Sequence, residues 1–323
     1  RISLKSTTAA GQRYTRAVLA NVLPAFLVLG LGALLRRWGL LTAESAAGLN
    51  RLTANVALPA LLLLTIGTSP LATGFSAPLA AMTTLLVVVM AVLAFLLAYL
   101  LGLPRPQRGV FSQAAFRGNL AYMAFPVILA SLGEEGLRRA ALTSAVLIPV
   151  MNFLAVVVLQ LARGGGRGWG RLAWAVITNP LVLGANLGLF LSALSWQPWG
   201  WLHHTLKIVA DFALPAALLA LGAQLEVEKL RDVRGPLLLA SLSKLVLLPG
   251  AGFFLLRALS LSTLDIQVGV LLLASPTAVA SYPVAVEMGG DSRLAGAAVL
   301  VTTALAFPAF VLWGMVCGVA SPG

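Results

Sequence analysis

The sequence predicts an all-α integral membrane protein: ten transmembrane helices in a five-plus-five inverted repeat, with the fourth and ninth helices broken. Composition is the first observation behind this reading. Mean hydropathy is +0.96, 59% of residues are hydrophobic and only 10% are charged, where a soluble domain has about 25% charge. Second, the apolar residues fall in blocks of roughly 20, the length a helix needs to cross ~30 Å of hydrocarbon. Third, two of those blocks are interrupted at corresponding places by polar stretches bearing Gly or Pro, Gly118 to Pro126 and Ser275 to Pro283.

The blocks run in order as follows. Residues 17–35 follow a basic tail, 1–16, but are long for a signal-peptide core and lack a clear small-residue cleavage site, so they read as the first membrane helix. Blocks at 52–68, 78–101, 110–132 and 140–162 complete a first repeat, 1–162. A short linker rich in Gly and Arg, 163–171, leads to a second repeat, 172–323, with blocks at 172–194, 204–225, 236–256, 266–288 and 294–318.

The repeats match through their prolines. Asn55-Val56-Ala57-Leu58-Pro59-Ala60 reads against Asp211-Phe212-Ala213-Leu214-Pro215-Ala216, and the same offset sets Pro24 on Pro180 and Gly32 on Gly188. Aligning Pro126 with Pro283 sets Asn119 on Pro276 and Gly133 on Gly290, one residue out of step with the rest. Five helices per repeat is an odd number, so the second repeat enters the membrane from the opposite side. Such inverted repeats hold their solute near the midplane, on discontinuous helices. Breaking the helical ladder inside hydrocarbon is costly, and is tolerated where the freed groups line a cavity or hold a ligand.

Basic residues crowd one set of links: Arg36, Arg37, Arg51, Arg105, Arg108, Arg163, Arg167, Arg171, Lys229, Arg231, Arg234 and Arg293. The other internal links hold Arg138, Arg139, Lys207 and Arg257. That bias puts the first set in the cytosol and both termini outside the cell membrane, against the basic N-terminal tail. It also explains the net charge of +12 without nucleic acid. Cys317 is the single cysteine, so no intrachain disulfide forms. No phosphate loop, G-x-S-x-G or H-E-x-x-H motif is present, and His203-His204 have no ligand cluster around them, so neither an enzyme nor a metal or cofactor site is expected.

Four ionisable residues fall at membrane depth: Arg117, Asp211, Lys244 and, near an interface, Glu287. A charge there costs ~2.5–3.5 kcal/mol on insertion scales, so Arg117, Asp211 and Lys244 are functional candidates, while Glu287, beside Gly289-Gly290, is expected to reach the interface. Arg117 suits an anionic substrate, since its planar guanidinium matches a carboxylate and nearby half-helix N-termini add positive potential. Asp211 is a candidate proton carrier, with Lys244 as its partner in coupling or in a salt bridge. Asn55, the first-half mate of Asp211, cannot titrate. Asn119, Tyr122, Ser275, Thr277 and Ser281 lie on the two breaks and are the better ligand contacts; Asn21, Asn152, Asn179 and Tyr282 are expected to bond helix to helix.

Taken in order, these features resemble the auxin efflux carrier family, which holds the plant PIN-type carriers and bacterial carboxylate permeases. They are Asn21-Val22-Leu23-Pro24 with Gly30, Gly32 and Arg36-Arg37; Ala57-Leu58-Pro59-Ala60; Gly118-Asn119 through Pro126; and Gly133-Glu134-Glu135-Gly136. Asn179-Pro180, Leu214-Pro215 with Leu221-Gly222-Ala223, Lys244 with Pro249, and Ser275-Pro276-Thr277-Ala278 complete the set. The resemblance implies helices four and nine crossing at Pro126 and Pro283, transport of organic anions, and homodimers in some members. The linker is far shorter than the plant carriers' cytosolic loop, which points to the bacterial permease type. The expected function is secondary transport of a small mono- or dicarboxylate by alternating access, with Arg117, Asn119, Tyr122, Pro126, Ser275, Pro276, Thr277, Ser281, Pro283 and Asn55 around the substrate. A proton is preferred to sodium as coupling ion, because buried carboxylates for a sodium site are few. The alternatives are a sodium-coupled symporter of the bile-acid type and an anion-binding membrane sensor that moves nothing.

Overall fold

The computed structural model describes residues 23–68, 74–164, 178, 180–224 and 233–319. Asn21, Asn179 and most of the linker lie outside the described residues. Among the described residues the regular elements are all helical. We label them α1 (23–37), α2 (Ala43–Gly67), α3 (Ala77–Leu100), α4 (Arg105–Phe116), α5 (Leu120–Ala162) and α6 (Pro180–Ala193). Then follow α7 (Gly200–Gln224), α8 (Arg234–Ala258), α9 (Thr263–Ala274), α10 (Ser281–Glu287) and α11 (Ser292–Val316). Six of them, α2, α3, α5, α7, α8 and α11, are long and apolar enough to span a bilayer. Starts are set by local chemistry: Thr42, Ser76, Ser262 and Asp291 each accept a backbone N–H from the first turn that follows, as N-caps do.

The fourth apolar block is shared between α4 and the start of α5, and α5 runs on into the fifth block across a non-helical residue. At ~1.5 Å per residue its length would be about twice the hydrocarbon thickness. Gly133, with φ 67° and ψ −166°, divides it into arms of 120–132 and 134–162. That positive φ is open to glycine and strained for a residue with a Cβ.

Three helices widen to π geometry, at Thr53–Ala57 in α2, Leu120–Ala124 in α5 and Ser243–Leu247 in α8. Each widened turn closes with an N–H five residues on: Leu58 donates to Thr53, Phe125 to Leu120 and Leu248 to Ser243. The next residue is proline every time, Pro59, Pro126 or Pro249. Proline lacks an N–H, and its ring collides with the carbonyl four residues back; a widened turn relieves that collision.

Packing divides the helices in a way that cuts across the two sequence halves. α2, α6 and α7 pack chiefly on one another, while α3, α4, α5, α8, α9, α10 and α11 form the larger body. Glycines close the first group. A Cβ on Gly32 of α1 or on Gly222 of α7 would meet the backbone of the other helix, at Leu219 and Leu29. Gly188 of α6 sits likewise against Ile66 and Leu62 of α2. Trp199 and Trp201 stack at 5.9 Å near the start of α7, both exposed, as expected at a membrane interface.

Replacing Gly222 with Val should therefore force α1 from α7, costing about 1–3 kcal/mol. The thermal midpoint of the purified protein in detergent should fall. Gly30→Ala, where a Cβ meets nothing within 4 Å, should leave it unchanged or raise it.

Candidate functional site

Both predicted interruptions are real. α4 stops at Phe116 and the chain resumes as helix at Leu120; α9 stops at Ala274 and resumes at Ser281. The two gaps lie antiparallel. Asn119 donates its N–H to the carbonyl of Pro276 at 2.8 Å, and Ala278 donates to the carbonyl of Arg117 at 2.9 Å. Gly118 and Thr277 form a β-bridge between them. Gly118 is required here, because a Cβ would collide with Ser275 Oγ.

The crossing is fixed at its outer ends too. Arg139 of α5 pairs with Asp265 in the first turn of α9 at 2.6 Å, and Ser76 Oγ donates to the same carboxylate at 3.0 Å. At the other end Asp291, which caps α11, accepts from Gln107 Nε2 at 2.9 Å and donates its N–H to Pro106 O. Both ties link residues from opposite halves of the chain.

A cavity of about 690 Å³ opens at the crossing. Its wall includes Arg36 at the end of α1, Asn50, Ala54 and Asn55 of α2, Arg117 to Tyr122, Met151 and Asn152 of α5, and Ala278 to Ala280. Among the described residues no Asp or Glu lines it. Arg117 is buried, with one guanidinium nitrogen on Asn152 Oδ1 at 2.7 Å and the other on the carbonyl of Ala280 at 3.2 Å. Asn119 is buried, and its Nδ2 finds no acceptor among the described residues. Tyr122 donates its hydroxyl to Asn50 Oδ1 at 2.8 Å. Asn55 lies on the wall but is exposed, its amide bonded one turn back to Arg51 O at 2.9 Å. The widened turns contribute as well. Pro59 and Pro126 supply no N–H to the carbonyls of Asn55 and Tyr122, four residues back, and both residues face this cavity.

The remaining predicted contacts sit elsewhere. Ser275 and Thr277 are buried behind the wall, where Ser275 Oγ donates to Leu272 O at 2.6 Å and Thr277 Oγ1 to Ala114 O at 2.9 Å. Pro276 acts through its carbonyl. Ser281 is buried off the wall, its carbonyl 3.4 Å from Gln113 Nε2. Pro283 lies in α10. Pro126 lines a second cavity of about 650 Å³, bounded by α1, α2, α5 and α7, with Glu134, Arg138, Lys207 and Asp211 among its polar residues. Along each helix shared by the cavities, a buried apolar residue stands between them: Leu29 on α1, Leu58 on α2, Met123 on α5, Leu221 on α7.

The pairing of Asp211 with Lys244 is overturned. Asp211 is exposed and bridges to Lys207, four residues earlier, at 2.9 Å. Lys244 is fully buried and donates to Leu273 O at 2.7 Å. Sequence reasoning passed over Asn50, which stood just outside the second apolar block. It assigned Asn152 to helix packing, although that residue holds Arg117. The signal for Asp265 with Arg139 was two charges at opposite block edges, too generic to pair.

A largely apolar chain, helical throughout its described residues and with six helices able to span a bilayer, is a multi-pass membrane protein. The sequence model of a family described as "Membrane transport protein" matches residues 17–167 and 170–314. The chain belongs to that family, the auxin efflux carrier family its motifs resemble, and so is a transport protein rather than an enzyme. It is 26% identical over 303 residues to an "Uncharacterized transporter" of Methanothermobacter thermautotrophicus, covering 92% of this chain and 97% of the relative. It is 24% identical over 305 residues to "Uncharacterized transporter MJ1031" of Methanocaldococcus jannaschii, covering 91% and 97%. A Rhizobium meliloti protein named "Putative malonate transporter" is 28% identical over 304 residues, covering 88% of this chain and 91% of its own length.

Asp265→Ala should strand Arg139 without its close carboxylate and cost about 3 kcal/mol. It should read out as a lower thermal midpoint in detergent, with part of the loss recovered in the double variant Asp265→Ala, Arg139→Met.

Proposed function

We propose that this chain is a secondary active transporter of small carboxylates, built as ten helices in a five-plus-five inverted repeat and working by alternating access. The carrying observation is Arg117. Among the described residues, a buried guanidinium without a carboxylate partner, beside an amide nitrogen of Asn119 that has no acceptor, lines a cavity without acidic residues. Burying a charge without a counter-charge is costly, and an incoming carboxylate offsets that cost. It also supplies the acceptor that Asn119 lacks. Guanidinium and carboxylate match as planar, two-point partners.

The repeat architecture is supported by the two breaks and by the paired glycine contacts of α1 with α7 and α6 with α2. Alternating access is supported by two cavities of similar size with buried apolar residues between them. Because the packing groups cut across the sequence halves, we assign the relative motion to those groups rather than to one half against the other. The name of the Rhizobium meliloti relative makes malonate the first solute to try. We assign proton coupling to Asp211, on the rim of the second cavity beside Lys207.

In proteoliposomes, Arg117→Gln should weaken carboxylate uptake by about 2–5 kcal/mol, the usual cost of truncating one partner of a buried charge pair, or at least ~30-fold. Asn119→Ala should abolish transport while leaving folded, monodisperse protein. Unchanged uptake in both variants would rule out the site. Uptake that ignores an imposed pH gradient would remove Asp211 from the mechanism.

A further inference from the structure

We propose that Lys244 is a positioning residue for the anion site: its ammonium cancels the carbonyl end of α9 at the crossing without touching the solute. The proposal rests on the reading of the cavity as a carboxylate site.

Both helices that stop at the crossing, α4 and α9, stop with their C-terminal ends there. Each such end acts as roughly half a negative charge. Two of them aimed at one point would repel an anion; the N-termini of α5 and α10, which begin at the same crossing, offset them in part, and partners on the carbonyls themselves complete the balance.

At α4 the carbonyls of Gln113 and Ala114 accept the N–H of Arg117, at 3.0 Å, and the hydroxyl of Thr277. Arg117 itself supplies positive charge on that side. At α9 the carbonyl of Leu272 accepts Ser275 Oγ, a neutral group. Leu273 O accepts Lys244 Nζ at 2.7 Å. Lys244 thus brings an amine donor, a cation when protonated, to the end of α9.

Several features mark this as more than a side chain that packs. Lys244 is fully buried, and among the described residues no carboxylate forms an ion pair with it. It stands in the widened turn Ser243–Leu247, whose Leu245 carbonyl, four residues before Pro249, is taken by Trp313 Nε1 at 2.9 Å. That bond anchors the turn to α11. Gly118 lies between the amine and the cavity: a Cβ there would be 3.4 Å from Nζ, and Gly118 is on the wall while Lys244 is not. An ammonium there acts from just behind the wall, where a low dielectric leaves it weakly screened.

The test is equilibrium binding of radiolabelled malonate to purified wild type, Lys244→Gln, Lys244→Met, Lys244→Arg and Arg117→Gln, with thermal midpoints alongside. Lys244→Gln keeps an N–H for Leu273 O and loses only the charge. It should bind at least tenfold more weakly with a midpoint near wild type. Lys244→Arg should bind within about threefold of wild type. In proteoliposomes the neutral variants should raise KM and leave kcat at saturating malonate nearly unchanged.

Binding by Lys244→Gln within twofold of wild type would overturn the proposal. So would unfolding of both neutral variants while Lys244→Arg folds, which would make Lys244 a folding residue. If Arg117→Gln loses binding and Lys244→Gln does not, only this proposal fails. If wild type binds neither malonate nor any of a panel of mono- and dicarboxylates, the carboxylate reading fails with it.

Discussion

Two backbone hydrogen bonds organise this protein. Asn119 to Pro276 and Ala278 to Arg117 join two stretches 157 residues apart that would otherwise leave peptide groups without partners at membrane depth. Hydrocarbon offers no water to satisfy such groups. The chain meets the need by letting each gap serve the other, as neighbouring strands do. Glycine at 118 permits the approach, and the ties at Arg139–Asp265 and Gln107–Asp291 hold the flanking helices in place.

Polar chemistry collects where that bridge forms. Arg117 and Asn119 flank the bridged glycine, so the residues that close the backbone also present side chains to the cavity. On the proposed reading, the helix ends, the cations and the carbonyls opposite proline belong to one arrangement that holds the solute of a membrane transport protein.

Much of this was legible in the sequence because interruptions are loud against an apolar background. Gly118 to Pro126 and Ser275 to Pro283 stand out for lacking what surrounds them. The register that set Asn119 on Pro276 named two residues that are hydrogen-bonded in the fold. What stayed hidden was lateral. Which asparagine holds Arg117, or which arginine meets Asp265, depends on how helices rotate and pack, and one chain carries no record of that. The Asp211 error differs in kind. Lys207 lay one turn before it, the spacing at which opposite charges meet on a helix, and a distant partner was preferred to the near one.

The proline-widened turns also decide which faces these helices present. A turn that closes over five residues instead of four takes in one extra position, and each position advances a helix by about 100°. The residues before Thr53 and Ser243 are thus swung around the axis relative to those beyond Pro59 and Pro249. A stripe drawn straight along α2 or α8 passes from one face to another at that step. Each of these helices is best regarded as two shorter rods set out of phase by a single surplus residue.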